Sequence, residues 1–324
     1  MSLAAEKSPS FDLSKVVKNK LTAVTFVGAL FSTAEVRASD NTEGSAEIIL
    51  AQLVDDIGAA ERVEAADELR IVSQEASSAA CYLFSGIEPE ESRRLVIESR
   101  DIFERNLDAL LNGNPSMNII GAETRRKTIA ELESLRAIWT PVSEALAALL
   151  EDANDADAVG VVKANSKLLY EKTNYLVSVI SGEYSNPAEL LQVDALMLDI
   201  VGRQGMYTQK IAKNACKVWN GEEVETSTQE LTGAIEIFET SLNALLHGMP
   251  EAGLKAAPTP EIIDGLSGVI SDWAETRTLV DTLLASGALA GDEQTALFNR
   301  MNDKMYQLKK ITHDYALYSK HKYD

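Results

Sequence analysis

Two cysteines occur in 324 residues, Cys81 in Ala79–Gly86 (AACYLFSG) and Cys216 in Asn214–Gly221 (NACKVWNG), and they stand 135 positions apart. No Cys-x-x-Cys-His for covalent haem, His-Glu-x-x-His, phosphate loop or nucleophile elbow is present. The three histidines, His247, His313 and His321, are scattered and lack the Glu-x-x-His pairing of di-iron bundles. Asp155, Asp157 and Gly160 fit positions one, three and six of a calcium loop, but Val159 at five and Ser166 at twelve cannot complete it. That stretch reads as an acidic turn. These residues give no catalytic constellation, so neither an enzyme nor a cofactor is expected.

The spacing of the cysteines belongs to a longer repeat. A gapless shift of 135 also lays Ser73-Gln74 on Thr208-Gln209 and Gly86 on Gly221. It lays IFERNLDALLNGNP (Ile102–Pro115) on IFETSLNALLHGMP (Ile237–Pro250), with nine identities in fourteen residues. A shift of 134 pairs Trp139 with Trp273, both within apolar helical patterns that make them core residues. Apolar residues recur at three- and four-residue spacing and β-branched alternation is scarce, so each copy is predicted to be helical.

Stop signals at Gly86–Pro89, Asn112–Gly121 and Glu151–Gly160 cut the first copy into four helices. Those at Asn220-Gly221, Gly248–Pro260 and Gly287–Gly291 do the same for the second. Thr259-Pro260 and Asn186-Pro187 place a capping side chain before a proline, where helices should begin. The predicted fold class is all-α, two tandem antiparallel four-helix bundles, with units over 39–184 and 185–324 joined at Ser181–Pro187.

Upstream, Lys15, Lys18 and Lys20 precede fourteen mostly apolar residues, Leu21–Ala34, and small residues follow at Val36-Arg37-Ala38. This run is too short for a comfortable membrane span, and the pattern is that of a signal peptide over 1–38, cleaved near Ala38, which implies a periplasmic protein. The net charge of −20 makes nucleic acid and anionic membrane surfaces poor partners. A solubilising surface accounts for it.

IVGRQGMYTQKIAKNA (Ile200–Ala215) resembles the signature that opens the PilJ-type domain, the N-terminal domain of type IV pilus methyl-accepting chemotaxis transducers. LRIVSQEASSAACYL, from Leu69, is a more divergent form of it. The same helix is similar to the sensor helix of the nitrate/nitrite-responsive histidine kinases, where two parallel helices meet on a dimer axis and an arginine from each clamps a small anion. Carried across, the resemblance implies Arg70 as the anion arginine, while the aligned position in the second copy is Gly205.

Arg203 lies two residues away, about 200° around a helix, so it is not expected to serve on the same face. Gly205 would leave room for a ligand larger than nitrate, and Gln74 and Gln209 one turn on could donate or accept. Arg70, Gln74, Arg203, Gly205 and Gln209 are therefore the candidate ligand set, with Tyr207 beside them either facing a ligand or, as the favoured reading, packing half-buried. The alternative for Arg70 is an ordinary partner for a nearby carboxylate.

Eleven residues separate Arg70 from Cys81, about three turns plus 20°, so the two share a face. If that face lies on the pseudo-twofold axis, Cys81 meets Cys216, with the small Ser77 and Ala212 one turn before them allowing close approach. A disulfide and two separate buried thiols both remain open at this point. The functional expectation is an exported sensory protein that binds a small anion or carboxylate and signals through a partner such as a membrane receptor or sensor kinase. A monomer would suffice, because the repeat supplies its own pseudo-dimer. The alternative is a structural or protein-docking helical module.

Overall fold

The computed structural model describes residues 58–184 and 192–321. Within them α1 (Ala59–Phe84), α2 (Pro89–Asn112), α3 (Arg126–Glu151) and α4 (Ala156–Tyr184) form one antiparallel bundle. α5 (Gln192–Trp219), α6 (Val224–His247), α7 (Pro260–Ser286) and α8 (Gly291–His321) form another. The fold is all-α, built as two four-helix units. The expected signal peptide over 1–38 and the helix start at Asn186-Pro187 lie outside the described residues. None of the described helices is long and apolar enough to cross a membrane.

Local chemistry sets the helix ends. The Thr259 hydroxyl accepts from the Ile262 N–H at 3.4 Å ahead of Pro260, which covers a donor the first turn leaves free. Asp155 Oδ1 accepts from Ala158 N at 2.9 Å, so the acidic turn acts as a helix cap and Gly160 lies inside α4 rather than in a stop. At the other ends, α2 and α6 stop at Gly113 (φ 78°) and Gly248 (φ 81°). A Cβ on Gly113 would stand 2.6 Å from the Gly121 carbonyl oxygen, and one on Gly248 2.9 Å from Ala256 N. Glycine is required there by space as well as by backbone angle.

The bundles share an inner pair of helices. α1 packs on α2, α4 and α5, and α5 packs on α6, α8 and α1. Buried small residues, among them Ala65, Ala66, Ala76, Ala79 and Ala80 of α1 and Ala212 and Ala215 of α5, accompany this central position. Contacts pair Arg70 with Asp199, Gln74 with Lys213 and Cys81 with Cys216, so the numbering rises together and the two helices run parallel. That direction follows from four alternating helices per unit. Farther from the seam, Phe103 stacks on Trp139 at 3.8 Å between ring centroids, and Phe238 meets Trp273 edge-on at 5.0 Å.

Candidate functional site

The α1–α5 seam carries three polar layers. In the first, Arg70 is fully buried and donates from Nη1 to Asp199 Oδ1 at 3.2 Å and to Asn174 Oδ1 at 3.4 Å, while Nη2 pairs with Asp67. Arg203 donates to the same Asp199 carboxylate, Nε to Oδ1 at 3.0 Å and Nη2 to Oδ2 at 2.8 Å. The angular argument that kept Arg203 away from Arg70 is thus corrected. Arg203 reaches back one turn along α5, and Arg70 reaches across from α1, so both guanidiniums meet on one carboxylate.

Burial works against the charge of Asp199, but Arg203 and then Arg70 outweigh it and hold its carboxyl below the usual range. Burial pushes the Asp67 carboxyl up, opposed chiefly by Arg70. The close approach of Asp67 to α5 depends on Gly202, where a Cβ would stand 2.5 Å from Asp67 Oδ2. Beside Gly205 a Cβ would make ordinary contact with Ile71 Cδ1 at 3.5 Å and Met305 Cγ at 3.9 Å, so the position faces apolar side chains.

The two glutamines part company. Gln209 points into the second bundle, where Nε2 donates to Asn302 Oδ1 at 3.0 Å. Gln74 stays in the seam, its Oε1 accepting from Lys213 Nζ at 2.9 Å, while its Nε2 is buried without a partner. Lys213 also donates to Ser166 Oγ of α4 at 3.1 Å, and burial lowers its ammonium to about 7. Tyr207 is more deeply buried than expected, and burial pushes its hydroxyl up to about 12.

Sequence reasoning missed Lys213, Asp67, Asp199 and Gly202. Asp67 and Asp199 stand three and four residues before Arg70 and Arg203, the spacing at which helix neighbours pair. That spacing was the available signal for both carboxylates.

In the third layer Cys81 and Cys216 form a disulfide with Cα atoms 6.3 Å apart. Both cysteines are buried. Asn220 Nδ2 lies 3.7 Å from Cys81 Sγ and 3.6 Å from Cys216 Sγ, and it donates to Ser85 Oγ at 2.8 Å. Next to this layer Tyr82 donates to the Ala212 carbonyl at 3.4 Å and packs between Trp219 and Phe298. The seam is therefore pinned at one end by a covalent bond and closed at the other by ion pairs.

No group of three or more His, Cys, Asp or Glu side chains among the described residues is placed to hold a metal. The fold and the seam define a module of paired four-helix bundles joined by ion pairs and a disulfide. A family profile agrees: the one described as the type IV pili methyl-accepting chemotaxis transducer N-terminal domain, PilJ, matches residues 56–164 and 191–298. The chain belongs to this family, which is sensory rather than enzymatic. A search of curated proteins returned no match.

Proposed function

We propose that the protein is an exported sensory module that binds a small anion or carboxylate between Arg70 and Arg203 and passes the change to a partner, such as the periplasmic part of a membrane receptor or a sensor kinase. The observation that carries this reading is Asp199, a carboxylate gripped by guanidiniums from two helices yet 34% exposed on its side chain. An incoming anion competes with it for donors already in place. The ligand then changes the helix arrangement only as far as it binds two arrangements with different affinity.

Residues 39–184 and 185–324 are read as tandem copies of one unit, a parallel pseudo-dimer within a single chain, with kinship to the nitrate/nitrite-responsive kinases. Positive φ recurs 135 positions apart at Glu88 and Glu223, at Gly113 and Gly248, and at Asn118 and Gly253, which supports the duplication. The buried disulfide suits an oxidising compartment, which supports export with the signal peptide removed near Ala38.

A titration series with nitrate, nitrite and acetate, read by thermal shift and calorimetry, tests the site. Asp199→Asn removes the competing charge and should tighten anion binding at least about tenfold, whereas Arg70→Ala should abolish it. If Asp199→Asn folds and binds no more tightly than the wild type, the exchange idea fails. The second reading, a structural or docking module, draws on the complete burial of Arg70 among its own partners. It would be supported by the absence of any anion response in both the wild type and Asp199→Asn.

A further inference from the structure

One turn along α1 from Arg70, a cavity of about 210 Å³ opens beside the seam. It is larger than the roughly 150 Å³ void that accommodates benzene, so it has room for a small molecule of several heavy atoms. Four helices line it: α1 gives Gln74, α4 gives Lys167, Tyr170 and Glu171, α5 gives Lys210 and Lys213, and α6 gives Glu230. The exposures grade inward. Lys167 and Glu171 are exposed at the rim, Tyr170, Lys210 and Glu230 are half-buried on the walls, and Gln74 and Lys213 are buried at the floor.

The floor offers donors. Gln74 Nε2 is buried with no partner, and Lys213 Nζ uses two of its three protons on Gln74 Oε1 and Ser166 Oγ. The free donors suit a carboxylate oxygen pair. The wall and rim offer the reverse charge as well, through Glu230 and Glu171. Lys210 is occupied with the Tyr170 ring, its Nζ 5.0 Å from the centroid.

We propose that this cavity binds a small α-amino acid as its zwitterion, with the carboxylate on Gln74 Nε2 and Lys213 Nζ and the ammonium toward Glu230 and Glu171. The site is separate from the Arg70–Asp199–Arg203 layer and does not rest on the anion reading. Because it joins α1 and α4 of one bundle to α5 and α6 of the other, an occupant bridges the two units. Burial lowers the Lys213 ammonium to about 7, with Glu230 favouring its charge and Lys210 and Lys217 opposing it. Of the other groups lining the cavity, Lys167 is basic, Glu171 acidic and Tyr170 a phenol. A carboxylate bound beside it favours the charged ammonium, so binding draws a proton toward Lys213.

Calorimetry on the full chain at pH 7 tests this with L-alanine, L-serine and L-glutamate as probes and with propionate and propylamine as one-ended controls. At least one amino acid should bind, with the controls weaker by about tenfold or more. The heat should vary with buffer ionisation enthalpy in the sense of proton uptake. Lys213→Met should abolish binding, and Glu230→Gln, on a half-buried wall, should weaken it about tenfold while leaving the floor intact. The proposal is overturned if none of the three amino acids binds, if propionate binds as well as L-alanine and loses that binding in Lys213→Met, or if Glu230→Gln folds and binds like the wild type.

Discussion

At the residue scale the seam and its flank carry two buried groups whose ionisation opposes folding from opposite sides of neutrality. Glu75 of α1 accepts from Ser99 Oγ of α2 at 3.1 Å, and burial pushes its carboxyl up to about 7, with Lys309 opposing the shift. The folded chain holds this proton to about pH 7 and the unfolded chain releases it near 4.5, so the stability present below pH 4.5 is lost as pH rises to 7. Lys213 behaves inversely. Its folded value of about 7 against 10.5 unfolded makes stability rise from pH 7 toward 10.5.

The combined contribution of the two groups is lowest near pH 7. Urea denaturation from pH 5 to 9 should therefore show the Glu75→Gln/Lys213→Met variant gaining most over wild type at neutrality and less toward either side. A gain independent of pH would refute the assignment. Lys213 was not legible in the sequence, since a lysine on a helix with polar neighbours reads as solvated, and only the packing of α1 on α5 puts it inside. Arg70 and Gln74 could be picked out because a motif pointed at them, but their partners belong to other helices.

At the element scale, helix number, length and termini were readable because glycine, proline and capping residues act within a few residues of themselves. Gly160 reads as a stop in the sequence, yet it lies inside α4 because Asp155 caps the helix five residues earlier. Two glycines that look alike in sequence differ in the fold. Gly86 (φ 70°) and Gly113 (φ 78°) both have positive φ, but a Cβ on Gly86 meets nothing within 4 Å, whereas one on Gly113 strikes the Gly121 backbone. Gly86→Ala should cost about 1 kcal/mol from backbone angle alone. Gly113→Ala should cost about 2–4 kcal/mol, because the loop before α3 must also shift. Equal shifts of the urea midpoint for the two variants would contradict this.

At the scale of the whole molecule, two bundles that share an inner helix pair and a buried disulfide should unfold as one body. Replacing both cysteines, Cys81→Ala with Cys216→Ala, removes a cross-link spanning 135 residues and should lower stability by about 2–4 kcal/mol. In a calorimetric scan, the oxidised wild type should give a single transition and the double variant either a single lower one or two. An unchanged melting profile would show that the cross-link does not constrain the unfolded chain. Because the disulfide joins parallel helices near their C-terminal ends, it is also a fulcrum. Arg70 stands about 16 Å from it along α1 and Ala59 about 33 Å, at 1.5 Å per residue. With Cys81 and Cys216 fixed to each other, a small parting of the helices at the ion-pair layer opens about twice as far at the N-terminal ends. The lever's long arm is therefore the end where the chain enters each bundle.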